Sequence, residues 1–239
     1  MFDFFHSIEP LYSVSGFIVG GLVGFTGVGG GSLMTPLLVL VFGIVPTTAV
    51  GTDLLYAAIT KSSGTIVHGL NGTIDWPVTR RLASGSVPAT IATLASLSWL
   101  GGSGHEANGL ITTSLGFALL LTAIVILFRE SLLNLIARHT DGLSDRQTRL
   151  LTTLLGAFLG ILVSISSVGA GAIGMTVLIA LYPRLPMVRL VGSDIAHGVS
   201  LTLIAGLGHW FMGAVDWSLL ASLLIGSLPG IAIGSASLS

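Results

Sequence analysis

Two glycine clusters interrupt long apolar runs in this chain of 239 residues: Thr26-Gly27-Val28-Gly29-Gly30-Gly31-Ser32 and Ser166-Ser167-Val168-Gly169-Ala170-Gly171-Ala172. Glycine costs about 1 kcal/mol relative to alanine inside a helix, so clusters of it predict unwinding between two half-helices. A half-helix starting at Ser32 or Ala172 would aim unpaired N–H groups and a positive dipole end at a ligand, an arrangement that suits an anion. Gly29, Gly30, Gly31, Gly169 and Gly171 would let that ligand approach the backbone, and Thr26, Ser32, Ser166 and Ser167 would add hydroxyl donors. The competing reading is that small residues simply let helices pack closely.

Ionisable residues inside apolar spans are candidates for function because burying their charge is expensive. Asp53 and Asp194 lie in the similar runs Gly51-Thr52-Asp53 and Gly192-Ser193-Asp194. They are read either as helix caps or as groups that line a cavity and bind a coupling proton. Lys61, the one lysine of the chain, is expected to give a fixed positive charge to an anion or to snorkel to the interface. His68 and His209 are read as a proton relay or as interfacial residues beside Trp76 and Trp217. Asp75-Trp76 and Asp216-Trp217 read as helix starts, and Asn71-Gly72-Thr73 as a turn.

No enzyme signature accompanies these residues. The six histidines show no metal-ligand spacing, and cysteine is absent, so no metal site or cofactor is expected. Neither a nucleophile elbow nor a phosphate-binding P-loop is present. A net charge of −1 offers no basic patch for nucleic acid. The expected partners are a small anionic substrate, membrane lipid and, as an open option, further copies of the chain.

The elements that must position these residues are membrane helices. Apolar residues make up 52% of the chain and charged residues 8%, and the mean hydropathy is +0.96. A soluble domain carries about 25% charged residues. Apolar stretches run over 14–42, 47–70, 77–100, 109–128, 150–182, 187–212 and 217–238, against the roughly 20 residues that a crossing needs. No alternating segments of barrel type occur. The fold expected is an all-α polytopic membrane protein: a first membrane repeat over 1–128, a polar cytoplasmic linker over 129–149 with a short amphipathic helix at Ser131 to Arg138, and a second repeat over 150–239.

The repeat rests on rare residue types in register. A shift of 141 aligns Gly51 with Gly192, Asp53 with Asp194, His68 with His209, Asp75-Trp76 with Asp216-Trp217, and Gly85-Ser86 and Pro88 with Gly226-Ser227 and Pro229. A shift of 140 aligns the glycine clusters, which makes Gly174 a one-residue insertion. Stretches 14–42 and 150–182 are too long for one crossing and too short for two. If each crosses once, the repeats are parallel and the loop arginines divide between the faces. If each is a re-entrant hairpin, the repeats are inverted and Arg80, Arg81, Arg129, Arg138, Arg146, Arg149, Arg184 and Arg189 share the cytoplasmic face. The inverted arrangement is the one expected, with the second copy lacking its last helix. Paired broken segments in two halves point to a transporter's binding site.

The run Gly24 to Leu37, followed by Ala49-Val50-Gly51-Thr52-Asp53, resembles the first-repeat signature of the sulfite exporter TauE/SafE family. Val191-Gly192-Ser193-Asp194-Ile195-Ala196-His197 and Gly226-Ser227-Leu228-Pro229-Gly230 are similar to its second. The resemblance spans residues 14–238. It implies a bacterial or archaeal inner-membrane permease exporting sulfite, organosulfonates or related sulfur oxyanions, and it implies a further helix after Gly234-Ser235.

Overall fold

Helix starts are set by proline and by capping carboxylates and hydroxyls, and the positions between them are filled by apolar residues too numerous to bury in a protein of this size. The computed structural model describes residues 9–26, 31–100, 105–140 and 142–236. Among these residues it contains ten α-helices, one π-helical turn and no strand. The helices are α1 (Pro10–Thr26), α2 (Gly31–Leu40), α3 (Pro46–Leu70), α4 (Trp76–Trp99), α5 (His105–Leu127), α6 (Arg129–Thr140), α7 (Asp145–Ser166), α8 (Met175–Leu181), α9 (Met187–Phe211) and α10 (Trp217–Ala236). The π turn, Ala170–Gly174, immediately precedes α8. It includes the position read as a one-residue insertion, and an extra residue absorbed into a helix produces this kind of turn.

Asp75 caps α4 by accepting from the Val78 N–H at 3.2 Å, and Asp216 caps α10 by accepting from Ser218 and Leu219, each at 2.9 Å. Ser144 and Gln147 form a capping box at the start of α7. The polar linker is therefore mostly helical: α6 extends the amphipathic helix read at 131–138, and α7 already begins at Asp145.

Exposure is reversed relative to a water-soluble protein. Large apolar side chains such as Leu70 and Phe211 face outward, while Asp53, Ser86, Thr152, Ser164, Ser193 and His197 are buried. Among the described residues, four segments are long and apolar enough to cross a membrane: Ala107–Leu127, Asp145–Ser166, Met187–Phe211 and Trp217–Gly234. An outer surface of hydrocarbon around a polar interior is what lipid demands, since polar groups there must find partners inside the protein.

Helix directions follow from the residues that meet. α4 packs on α7 in the same direction, Leu82 against Gly156 and Ser86 against Gly160. α10 packs on α1 in the same way, Leu223 against Gly16 and Ser227 against Gly20. α3 and α9 run antiparallel, with Gly51 beside Ala214, Leu55 beside Gly206, Lys61 beside Gly198 and His68 beside Gly192.

Both glycine-broken segments turn back. Tyr182, after α8, meets Thr152 near the start of α7, with hydroxyl oxygens 2.8 Å apart. Tyr12, near the start of α1, stacks edge-on against Phe42 after α2, with ring centroids 5.0 Å apart. Arg81 donates to the Tyr182 hydroxyl at 3.1 Å and pairs with Asp145 at 3.4 Å, and Arg189 approaches Asp75 at 3.9 Å. The connections before α4, α7 and α9 therefore lie together on one face.

Candidate functional site

Asp53 lies two turns inside α3, in a stretch where Ala49 to Ala58 are all buried. This placement rules out the helix-cap reading, because α3 begins at Pro46. Its Oδ2 accepts a hydrogen bond from Thr35 Oγ1 at 2.5 Å and another from Ser167 Oγ at 2.9 Å. Thr35 belongs to the returning arm of the first hairpin, and Ser167 stands at the break of the second. One carboxylate thus receives a hydroxyl from each glycine-broken segment. Its other oxygen, Oδ1, is buried and has no hydrogen-bond partner.

The backbone explains why Ser167 can reach. Ser167 caps the C-terminus of α7 in the left-handed region, with φ 57°, and Gly169 follows with φ 104°. Ser166 stays inside the turn, donating to the Leu162 carbonyl at 2.7 Å while accepting from the Val168 N–H at 3.2 Å. Gly169 packs against Leu162 and Ile173, near Thr122 of α5. Gly171 lines a different place, a recess of about 260 Å³ shared with Ile126, Arg129, Ala172, Met175 and Thr176. Gly29 and Gly30 lie outside the described residues, as do the side chains of Thr26 and Ser32 and the surroundings of Gly31.

Asp194 lies two turns into α9 and is not a cap either, since α9 begins at Met187. Its Oδ1 is buried without a hydrogen-bond partner, close to Gly174 of the π turn. Lys61 extends from α3 to lie against Gly198, one turn after Asp194. His209 is fully buried rather than interfacial, its Nε2 2.9 Å from the Ser164 carbonyl oxygen near the end of α7. His68 is half-buried and pairs with Thr73 Oγ1 at 2.8 Å across the turn into α4.

The sequence reading gave no role to His197. It is fully buried on α9, one turn from Asp194, with Nε2 2.8 Å from Ser86 Oγ and Nδ1 without a partner. The position matched to it by the 141-residue shift is Tyr56, so a search for identical residues passes over it. Asp194 and His197 at i and i+3 share one helix face, and that was the available signal.

A family model described as "Sulfite exporter TauE/SafE" matches residues 12–239. The chain belongs to the sulfite exporter TauE/SafE family. Among curated proteins, this TauE/SafE chain is 39% identical over 221 residues to "Probable membrane transporter protein YjnA" of Bacillus subtilis (strain 168), covering 92% of the chain and 86% of the relative. It is 28% identical over 222 residues to "Probable membrane transporter protein YdhB" of the same organism, with the same coverage of each chain. A "Probable membrane transporter protein" of Xylella fastidiosa (strain Temecula1 / ATCC 700964) is 28% identical over 227 residues, covering 92% of the chain and 81% of the relative. No solved structure matches the chain significantly.

Proposed function

We propose that this protein is a multi-pass secondary transporter that exports a small sulfur oxyanion, such as sulfite or an organosulfonate, across a bacterial or archaeal inner membrane. The observation that carries the reading is the convergence of Thr35 and Ser167, one from each hairpin, on buried Asp53. Broken helices from two halves of a chain meeting at depth is the arrangement in which transporters hold substrate and coupling ion. The family match supports the substrate class.

In this reading the two halves are inverted repeats. Units related by a two-fold axis in the membrane plane must bring equivalent helices together antiparallel, and α3 and α9 meet that way. Parallel repeats would leave the same two helices parallel. The neighbouring contacts recur at the shifts found in the sequence: Gly85 against Thr153 and Gly226 against Ser13, Gly51 against Ala214 and Gly192 against Thr73. The shared face of the connections before α4, α7 and α9, which carry Arg81 and Arg189, is then the cytoplasmic one.

The anion binds at the glycine-rich turns, drawn by the N-terminal dipole end of the helix that starts at Gly31 and by that of the turn at Ala170–Gly174, with Ser166 and Ser167 turning their hydroxyls to it from Leu162 and Asp53, Thr26 adding another and Lys61 the compensating charge. Asp53 and Asp194 couple its movement to a cation, with His68 and His209 beside them. Purified protein reconstituted into liposomes should move sulfite or a short organosulfonate saturably, and Gly30→Val should abolish the flux while the protein stays folded. Saturable flux of an unrelated solute, with none for any sulfur oxyanion, would overturn the substrate.

A further inference from the structure

We propose that Asp53, Thr35 and Ser167 form a binding site for a small monovalent cation, Na+. The first observation is where Asp53 points. Ser167, its hydrogen-bond donor, is the C-terminal cap of α7. Helix C-termini carry the negative end of the dipole and a turn of carbonyls without intrahelical partners. A buried carboxylate at such an end is repelled unless a positive charge joins it.

The second observation is the unpartnered Asp53 Oδ1, in a side chain with 0% exposure. A proton placed on that oxygen would create a buried donor where no acceptor stands. A cation supplies what the lone pairs lack. The available ligands are a carboxylate and two hydroxyl oxygens with lone pairs to spare: all oxygen, with one formal negative charge. Hard cations take such ligands, and a single carboxylate balances a single positive charge.

The third observation is an asymmetry. Lys61, whose ammonium lies against Gly198 one turn from Asp194, is matched in the second half by Thr202. Thr202 donates to the Gly198 carbonyl at 2.8 Å and brings no charge. Among the described residues no ion pair joins Asp53 to Lys61 or to any other cation of the protein. The groups around Asp53 are the hydroxyls of Thr35 and Ser167, with Tyr56 and Lys61 further along α3. The role of this cation as a coupling ion rests on the transport reading; its binding does not.

Thermal unfolding of the purified protein, measured in NaCl, KCl and choline chloride at matched ionic strength, tests the binding. A ligand held by the folded state alone raises the melting temperature in a concentration-dependent way. The expected result is a saturable rise with Na+, absent in choline, weaker in K+, and lost in Asp53→Asn. If that variant does not fold, Ser167→Ala and Thr35→Val decide, each expected to raise the half-saturating Na+ concentration at least about tenfold, the ratio equivalent to 1.4 kcal/mol. No Na+-specific rise, an unchanged response in all three site variants, or a dependence on pH alone would overturn the proposal. A Na+ response in a protein that moves no sulfur oxyanion would uphold the cation site and remove the substrate assignment.

Discussion

Ser167 donates its hydroxyl to Asp53 at 2.9 Å across 114 positions of chain, joining the C-terminal cap of α7 to the middle of α3. The bond ties the tip of one hairpin to the helix that follows the other, so it carries information about both halves at once. A double-mutant cycle with Asp53→Asn and Ser167→Ala should return a coupling of about 1–3 kcal/mol, the range for a hydrogen bond to a charged group. Denaturation of the purified protein in mild detergent gives the four stabilities, and additive losses would mean that the two groups do not interact in the folded protein.

Glycine has two separable uses in this chain, and substitution should tell them apart. A Cβ at Gly85 would overlap the Thr153 carbonyl of α7, and one at Gly226 would overlap the Ser13 carbonyl of α1. Both neighbours are backbone and cannot swing aside. Gly85→Ala and Gly226→Ala should each cost at least about 1–3 kcal/mol. A Cβ added at Gly116 in α5 would meet nothing within 4 Å, so Gly116→Ala should hold or raise stability by up to about 1 kcal/mol. Melting temperatures of the three variants check the contrast.

Much of this was legible in the sequence, for reasons that differ by element. Asp75 and Asp216 are caps because a carboxylate beside the first free N–H groups of a helix is a local arrangement, readable within four residues. The break in residues 150–182 was legible from length and glycine content, while the choice between one crossing and a hairpin leaned on the placement of arginines. Asp53 was legible as a buried charge but not as the meeting point of Thr35 and Ser167, since neither spacing nor periodicity reports a contact 114 positions away. His197 was missed because its matched residue, Tyr56, keeps a buried polar tip while changing chemical type. Gly171 shared its motif with Ser167 yet faces the recess with Arg129, because the π turn rotates the chain between them.

Matched positions need not carry equal weight. Ser86 Oγ lies 2.8 Å from His197 Nε2 in the interior, so Ser86→Ala would leave both ring nitrogens unpaired. The expected loss is about 1–3 kcal/mol. Ser227, its counterpart in the second half, lies near the Tyr56 hydroxyl but makes no hydrogen bond of regular geometry with it. Removing an unsatisfied buried hydroxyl costs little, and Ser227→Ala should change stability by less than about 0.5 kcal/mol or increase it. Equal losses in the two variants would contradict the asymmetry.

The chain has no cysteine, so single cysteines can report which face each connection occupies. Asn71, before α4, and Arg184, before α9, are exposed in connections tied together through Arg81, Tyr182, Asp75 and Arg189. Val45 is exposed at the start of α3, at the opposite end from Asn71. An impermeant thiol reagent applied to right-side-out vesicles should label Val45→Cys and spare Asn71→Cys and Arg184→Cys. Inside-out vesicles should give the reverse. The decisive comparison is Arg184 with Asn71: a broken segment that crossed once would put residue 184 on the far side from Asp145, and Arg184→Cys would then label together with Val45→Cys. Opposite labelling of Arg184→Cys and Asn71→Cys would exclude the re-entrant hairpin and with it the inverted repeat.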